Sequence, residues 1–345
     1  MSAPIKRPVN IERIEAKLDI SFNWGYEKTR EDLRELYRKS KQAQWDGETR
    51  LDWSIDVDIE KAAVPEFMHP LFGSEIYAKL DEKKHLELRR EMPAWTQSQF
   101  LHGEQGAMLV AAQLVNAVPD MESKLYASSQ VMDEARHVEV FDRYLHEKIG
   151  TVYPVSPHLR SLLGRILEDS RWDMKLLGMQ IMVEGLALAA FGVTRAYIDE
   201  PLLKDLTTYV LQDEARHVAF GVLSLRDFYR DQDEAFVRER EDFVYEAAVL
   251  MRDRFLFEEV WEKTGLPVKE CMEITLNNAG QQEFRKILFS KIVPAVKRAG
   301  LLSERQRERF AKLGILEYET WQDPFEALEQ AEAEQAAERA AEHAA

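Results

Sequence analysis

The hexapeptide Asp-Glu-Ala-Arg-His-Val occurs at 133–138 and again at 213–218, 80 positions on. Within it, Glu and His are three residues apart, a spacing that puts both side chains on one face of a helix. Glu134 thus pairs with His137, and Glu214 with His217. Thirty residues before each of these Glu stands another, Glu104 before Glu134 and Glu184 before Glu214. The midpoints of the two pairs, Pro119 and Asp199, fall in the turn sequences Val118-Pro119-Asp120 and Asp199-Glu200-Pro201. Each pair therefore faces across an antiparallel helical hairpin, at a depth of about 15 residues or roughly 22 Å.

Packed together, two such hairpins bring four Glu and two His into one layer. Glu104 and Glu184 stand among Leu101, Met108, Ile181, Leu186 and Leu188. An unpaired carboxylate in that setting costs several kcal/mol, so something must neutralise it. Four carboxylates and two neutral imidazoles balance two divalent cations, and an oxygen-rich set with two nitrogens suits iron or manganese. A metal-bound His ordinarily donates its second ring N–H to a carboxylate. Asp213 is expected to orient His137, and Asp133 to orient His217, with Arg136 and Arg216 bridging the aspartates. A lone Glu-x-x-His is ordinarily a solvated ion-pair face. The duplication, the equal offsets and the apolar setting of Glu104 and Glu184 distinguish this one; the bland alternative is a duplicated helix pair with a hydrogen-bonded polar layer.

The elements that must position these residues are helical throughout, since Gly and Pro are sparse and alternating strand patterns nearly absent, which predicts an all-α protein. Helices are expected over 27–44, from near 75 to 91, over 94–117 after a kink or restart at Pro93, and over 120–149, with Pro119 at a first helical position. The second hairpin spans 170–198 and 201–230, and 151–158 reads as a linker. Helices over 233–264, 268–298 and 303–313 follow. One domain over 1–325, with its core bundle at about 95–230, precedes an acidic Ala/Glu-rich tail at 326–345.

Net charge is −16, of which the last twenty residues, with six Glu and one Arg, contribute −5. The remainder is still acidic and would repel phosphate backbones, so nucleic acid is not an expected partner. The single cysteine, Cys271, excludes an internal disulfide and an iron–sulfur cluster held by this chain alone. The opening residues lack the apolar core of a secretion signal. The most apolar stretch, 181–193, is short and contains Glu184, so a cytoplasmic protein without a membrane span is expected. His69, His85, His102, His146, His158 and His343 have no partner at ligand spacing.

The stretch Gly-Glu-Gln-Gly-Ala-Met (103–108) followed by Asp-Glu-Ala-Arg-His (133–137) is similar to the first half-site of bacterial multicomponent monooxygenase hydroxylases. Residues 183–193 with 213–221 look like the second. Over about 95–230 the chain resembles the ferritin-like di-iron carboxylate superfamily, whose members build this site in a four-helix bundle. Its oxidase and oxygenase branch includes those hydroxylases, soluble acyl-carrier desaturases, arylamine N-oxygenases and ribonucleotide reductase small subunits. The resemblance implies that Glu104, Glu134 and His137 hold one metal and Glu184, Glu214 and His217 the other, with one or more Glu bridging. It further implies two iron ions (or manganese with iron), dioxygen as co-substrate, a separate reductase or ferredoxin, an apolar or amphipathic small-molecule substrate and a homodimer.

Three positions depart from individual branches. Phe141 replaces the radical Tyr usual in ribonucleotide reductase subunits. Val210 stands where arylamine N-oxygenases add a third His. Leu188 stands where hydroxylases usually carry Thr. A ferroxidase or peroxide-detoxifying iron protein, a manganese/iron radical subunit and a non-catalytic scaffold are the alternatives; scaffolds of this kind usually lose ligands. Gly103, Gly106, Gly178, Gly185 and Gly192 imply either close helix packing or space beside the metals. Met108, Ala111, Leu188, Phe191 and Leu211 are the expected pocket walls.

Overall fold

Turn residues set the helix ends in the computed structural model, which describes residues 11–330 except 60, 325, 327 and 329. No strand occurs among the described residues. Helix α1 is Glu31–Gln42, α2 Glu82–Ala117, α3 Met121–Arg143, α4 Pro157–Glu168, α5 Trp172–Tyr197, α6 Pro201–Leu225 and α7 Glu234–Asp253. The two expected hairpins are α2–α3 and α5–α6. Asp120 caps α3 by accepting the Ser123 N–H at 2.8 Å, so Pro119 lies in the turn before the cap and not in the helix. Glu200 caps α6, accepting the Leu202 and Leu203 N–H groups at 3.0 and 2.7 Å, with Pro201 as the first helical residue. The Tyr144 hydroxyl donates to Glu200 at 3.2 Å, which ties the end of α3 to the turn of the second hairpin.

These four helices form the bundle. Helix α1 packs across α3 and α6, α4 lies against α2, and α7 covers α4 and α5. Two of the glycines explain the close seating of α4. A Cβ on Gly106 would lie 2.6 Å from Leu163, and one on Gly178 would lie 2.6 Å from Ile166. Gly185 is similarly tight against Ile292, whereas Gly103 and Gly192 face open space. Close packing therefore accounts for Gly106, Gly178 and Gly185.

Several expected boundaries differ. Helix α2 runs unbroken through Pro93, because buried neighbours Met92, Ala94 and Trp95 hold it across the missing N–H bond. Helix α4 occupies a span read as linker at its start and left unassigned beyond; Ser156 caps it and Pro157 opens it. The helix expected over 233–264 breaks after α7, where Phe257 takes a left-handed conformation (φ 56°) before a short helix at Glu258–Lys263. The span 268–298 is three helices, Val268–Asn277, Ala279–Ile287 and Ile292–Arg298; Asn278 caps the second. Helix α5 is 26 residues, long and apolar enough to cross a bilayer, yet most of its apolar window is buried inside the bundle. The Ala/Glu-rich run 331–345, with His343, lies outside the described residues.

Candidate metal centre

At mid-bundle α2 delivers Glu104, α3 Glu134 and His137, α5 Glu184, and α6 Glu214 and His217. All six are buried, none more than 5% exposed. A wide π turn at Leu177–Val183 immediately precedes Glu184 and resets the direction in which α5 presents it. One donor atom each from Glu104, Glu134, His137 and Glu214 lies within 4.8 Å of the others, and the same is true of Glu134, Glu184, Glu214 and His217. Glu134 and Glu214 belong to both groups.

The histidines show how the layer is aimed. His137 Nδ1 lies 3.2 Å from Glu104, 3.4 Å from Glu134 and 3.2 Å from Glu214. His217 Nδ1 lies 3.1 Å from Glu134, 3.7 Å from Glu184 and 3.5 Å from Glu214. Such separations are those of neighbouring donors around one ion with bonds of about 2.1 Å. The opposite nitrogen, Nε2, meets an aspartate from the other hairpin: Asp213 for His137 at 3.1 Å and Asp133 for His217 at 3.3 Å. Each aspartate thus accepts from the Nε2 N–H, and in the neutral ring the Nδ1 lone pair is directed into the carboxylate layer. Arg136 spans both aspartates, 2.6 Å from Asp133 and 2.9 Å from Asp213, and Arg216 pairs with Asp213.

Side-chain oxygens of Glu134, Glu184 and Glu214 and Nδ1 of His217 are buried with no hydrogen-bond partner. Burial, together with the charge of Glu214, holds the Glu104 carboxyl well above its ordinary range; burial and the charge of Glu134 do the same to Glu184. Burial opposes charge on both imidazoles, yet the surrounding carboxylates outweigh it and raise them. Crowded carboxylates here recruit whatever positive charge is at hand, proton or cation. Two divalent ions satisfy the same oxygens while leaving the histidines neutral, so the residues present fit a dinuclear centre.

The α1 end supplies supports that sequence reasoning missed. Trp45 Nε1 donates to Asp213 at 2.8 Å, Gln44 Nε2 to Asp133 at 2.7 Å, and the Ser40 hydroxyl to Asp133 at 3.4 Å. Gln130, one turn before Glu134, donates to Glu184 at 2.8 Å and to Glu134 at 3.1 Å. Its spacing from Glu134 was a usable signal; Gln44, the last residue of the first expected helix, and Trp45 just beyond it carried none.

A small cavity opens against Glu104, Glu184 and Glu214, walled by Phe100, Gly103, Ala107, Leu186, Ala187 and Arg254 among others. None of the five expected wall residues, Met108, Ala111, Leu188, Phe191 and Leu211, lines it. Spacing along a helix identifies the face that carries the ligands. Which edge of that face stays open depends on the neighbouring helices. Arg254 comes from the break after α7, is 6% exposed, and has no acidic partner among the described residues. Burial lowers it to about 10, which leaves it charged at neutral pH.

The family model of P-aminobenzoate N-oxygenase AurF matches residues 26–300, a span that holds all six donors and their aspartates. The chain belongs to this family. Membership in the AurF family makes it a ferritin-like di-metal oxidoreductase. No curated protein matches the chain. Solved structures similar to this AurF-family chain include an R2-like ligand-binding oxidase with aerobically reconstituted metal cofactor after photoconversion, at 16% identity and TM-score 0.49, covering 77% of this chain and 93% of that one. Another is an R2-like ligand-binding oxidase with aerobically reconstituted Mn/Fe cofactor after a long soak, at 15% identity and TM-score 0.44, covering 79% and 93%.

Proposed function

We propose that the chain binds two iron ions between its hairpins and oxidises an apolar or amphipathic organic molecule with dioxygen. Glu104 and His137 would hold one ion and Glu184 and His217 the other, with Glu134 and Glu214 shared. The observation that carries this reading is the set of buried, unpartnered donor atoms facing one another across the layer. When bound, the ions supply the redox chemistry of dioxygen. Asp213 and Asp133 hold the Nε2 protons, and Arg136 locks both aspartates into one frame. Gln130 steadies Glu184, while Phe100, Ala107 and Leu186 keep the cavity side apolar and exclude water. Arg254 offsets the carboxylates before loading and afterwards offers a charge to an anionic atom entering the cavity.

The reaction needs electrons, and with one cysteine the chain holds no iron–sulfur carrier of its own; a separate reductase or ferredoxin supplies them. Because Val210 occupies the place of the third His of arylamine N-oxygenases, N-oxygenation is not part of this reading. Anaerobic ferrous loading is expected to give two ions per chain, and air to cause a single round of dioxygen uptake. Repeated oxidation of excess ferrous ion would mark a ferroxidase instead, and failure to take up iron would end the proposal.

A further inference from the structure

Beyond Phe100 lies a second cavity, larger than the one against the carboxylates. Phe100 lines both cavities and is the wall between them. Its ring packs 4.5 Å from that of Phe191. Most of the larger cavity is apolar, with walls from Leu88, Met92, Ala190, Phe255 and Phe257. Exposed Glu66 and Arg89 stand at its rim.

Three deeply buried polar side chains interrupt this apolar lining. They are His69, Gln97 and Gln281, 7%, 1% and 4% exposed. In each, one buried atom has no hydrogen-bond partner: His69 Nε2, Gln97 Oε1 and Gln281 Oε1. Their neighbours fix what two of these atoms can do. The Leu71 backbone N–H donates to His69 Nδ1 at 3.1 Å, so Nδ1 is an acceptor and the ring proton sits on Nε2. Burial, reinforced by the charges of His85 and Arg89, lowers His69 to about 3 and keeps the ring neutral. Gln281 Nε2 donates to the Met68 carbonyl at 2.7 Å, which fixes the amide and leaves Oε1 as an acceptor. The walls of the cavity therefore hold an unmet donor, His69 Nε2, and an unmet acceptor, Gln281 Oε1, both uncharged. Buried polar atoms are ordinarily satisfied, and three unmet in one apolar cavity mark a place for a partner.

We propose that this cavity receives the organic substrate, and that the substrate is an uncharged, mainly apolar molecule bearing a group that both accepts and donates hydrogen bonds, such as a carboxamide or a hydroxyl. A carboxylate would satisfy His69 but would turn its lone pairs against that of Gln281, whose amide the Met68 carbonyl fixes. As a statement about the substrate this rests on the di-metal reading above; as a statement about a ligand it does not.

The test is calorimetric titration of the full chain, before and after anaerobic ferrous loading, with octanamide, octan-1-ol and octanoate. These probes share one chain length and differ in the end group. Octanamide and octan-1-ol are expected to bind at least about tenfold more tightly than octanoate. Gln97→Leu removes an amide with no hydrogen-bond partner among the described residues, so it is expected to melt no lower than the parent and to keep its iron. It should nevertheless weaken octanamide binding at least about threefold. Equal binding of octanoate, no binding of any probe, or an unchanged octanamide affinity in Gln97→Leu would each overturn the proposal. A chain that selects octanamide but takes up no iron would sink the di-metal reading alone. One that takes up iron without this selectivity would sink the present proposal alone.

Discussion

The two hairpins carry the same hexapeptide but treat it differently. Asp213, which holds His137, is gripped by Arg136, Arg216 and the Trp45 indole. Asp133, which holds His217, shares Arg136 but otherwise has only the neutral Gln44 and Ser40. A second difference lies one turn before the shared carboxylates. Gln130 precedes Glu134 and reaches across to clamp Glu184, whereas its counterpart Val210 precedes Glu214 and donates nothing. Among the described residues no side chain clamps Glu104 as Gln130 clamps Glu184; its neighbour is His137 Nδ1, at 3.2 Å. The hexapeptide is the same in both halves; the neighbours around it differ and decide how rigidly each carboxylate is held. The half with the unclamped Glu104 is the one whose carboxylate is freer to move.

The comparison breaks most severely at the shared residues. Glu134→Ala or Glu214→Ala is expected to abolish binding of both ions, while Glu104→Ala or Glu184→Ala leaves one; metal analysis after anaerobic ferrous loading reads the difference. Next come the aspartates. Asp213→Asn and Asp133→Asn should each weaken iron binding about 10- to 100-fold, the usual cost of losing a carboxylate behind a metal-bound His. The loss should be greater at Asp213, where two arginines lose their partner, as competition with a chelator would show. Gln130→Leu should weaken uptake of the second ion about tenfold and spare the first, giving two resolved steps in a ferrous titration. Trp45→Phe is the mildest change. It should cost about 1–3 kcal/mol of stability, read by denaturant melts, with both ions retained.

How much of this was legible in the sequence follows from where each signal resides. Convergence of the six candidate donors and the cross-hairpin pairing of Asp133 with His217 and Asp213 with His137 follow from helix spacing and the equal thirty-residue offsets, because both are properties of helices and turns. That Glu134 and Glu214 fall in both donor groups needed the lateral offset between hairpins, which no spacing within one hairpin encodes. Gln44 ends the first expected helix, Trp45 lies just beyond it, and both reach the site only through the fold of α1. The cavity was misplaced toward Met108, Ala111, Leu188, Phe191 and Leu211 because burial alone does not separate a wall from packed core. Arg254 was hidden for another reason: the break that delivers it, at Phe257, contains neither Gly nor Pro.

The most direct test of the central claim is anomalous diffraction at the iron edge from crystals grown anaerobically with ferrous ion. The account predicts two peaks about 3.5–4 Å apart. One should touch Glu104 and His137, the other Glu184 and His217, with Glu134 and Glu214 between them. A single peak, no peak in this layer, or iron bound elsewhere with the six side chains still hydrogen-bonded to one another would contradict it.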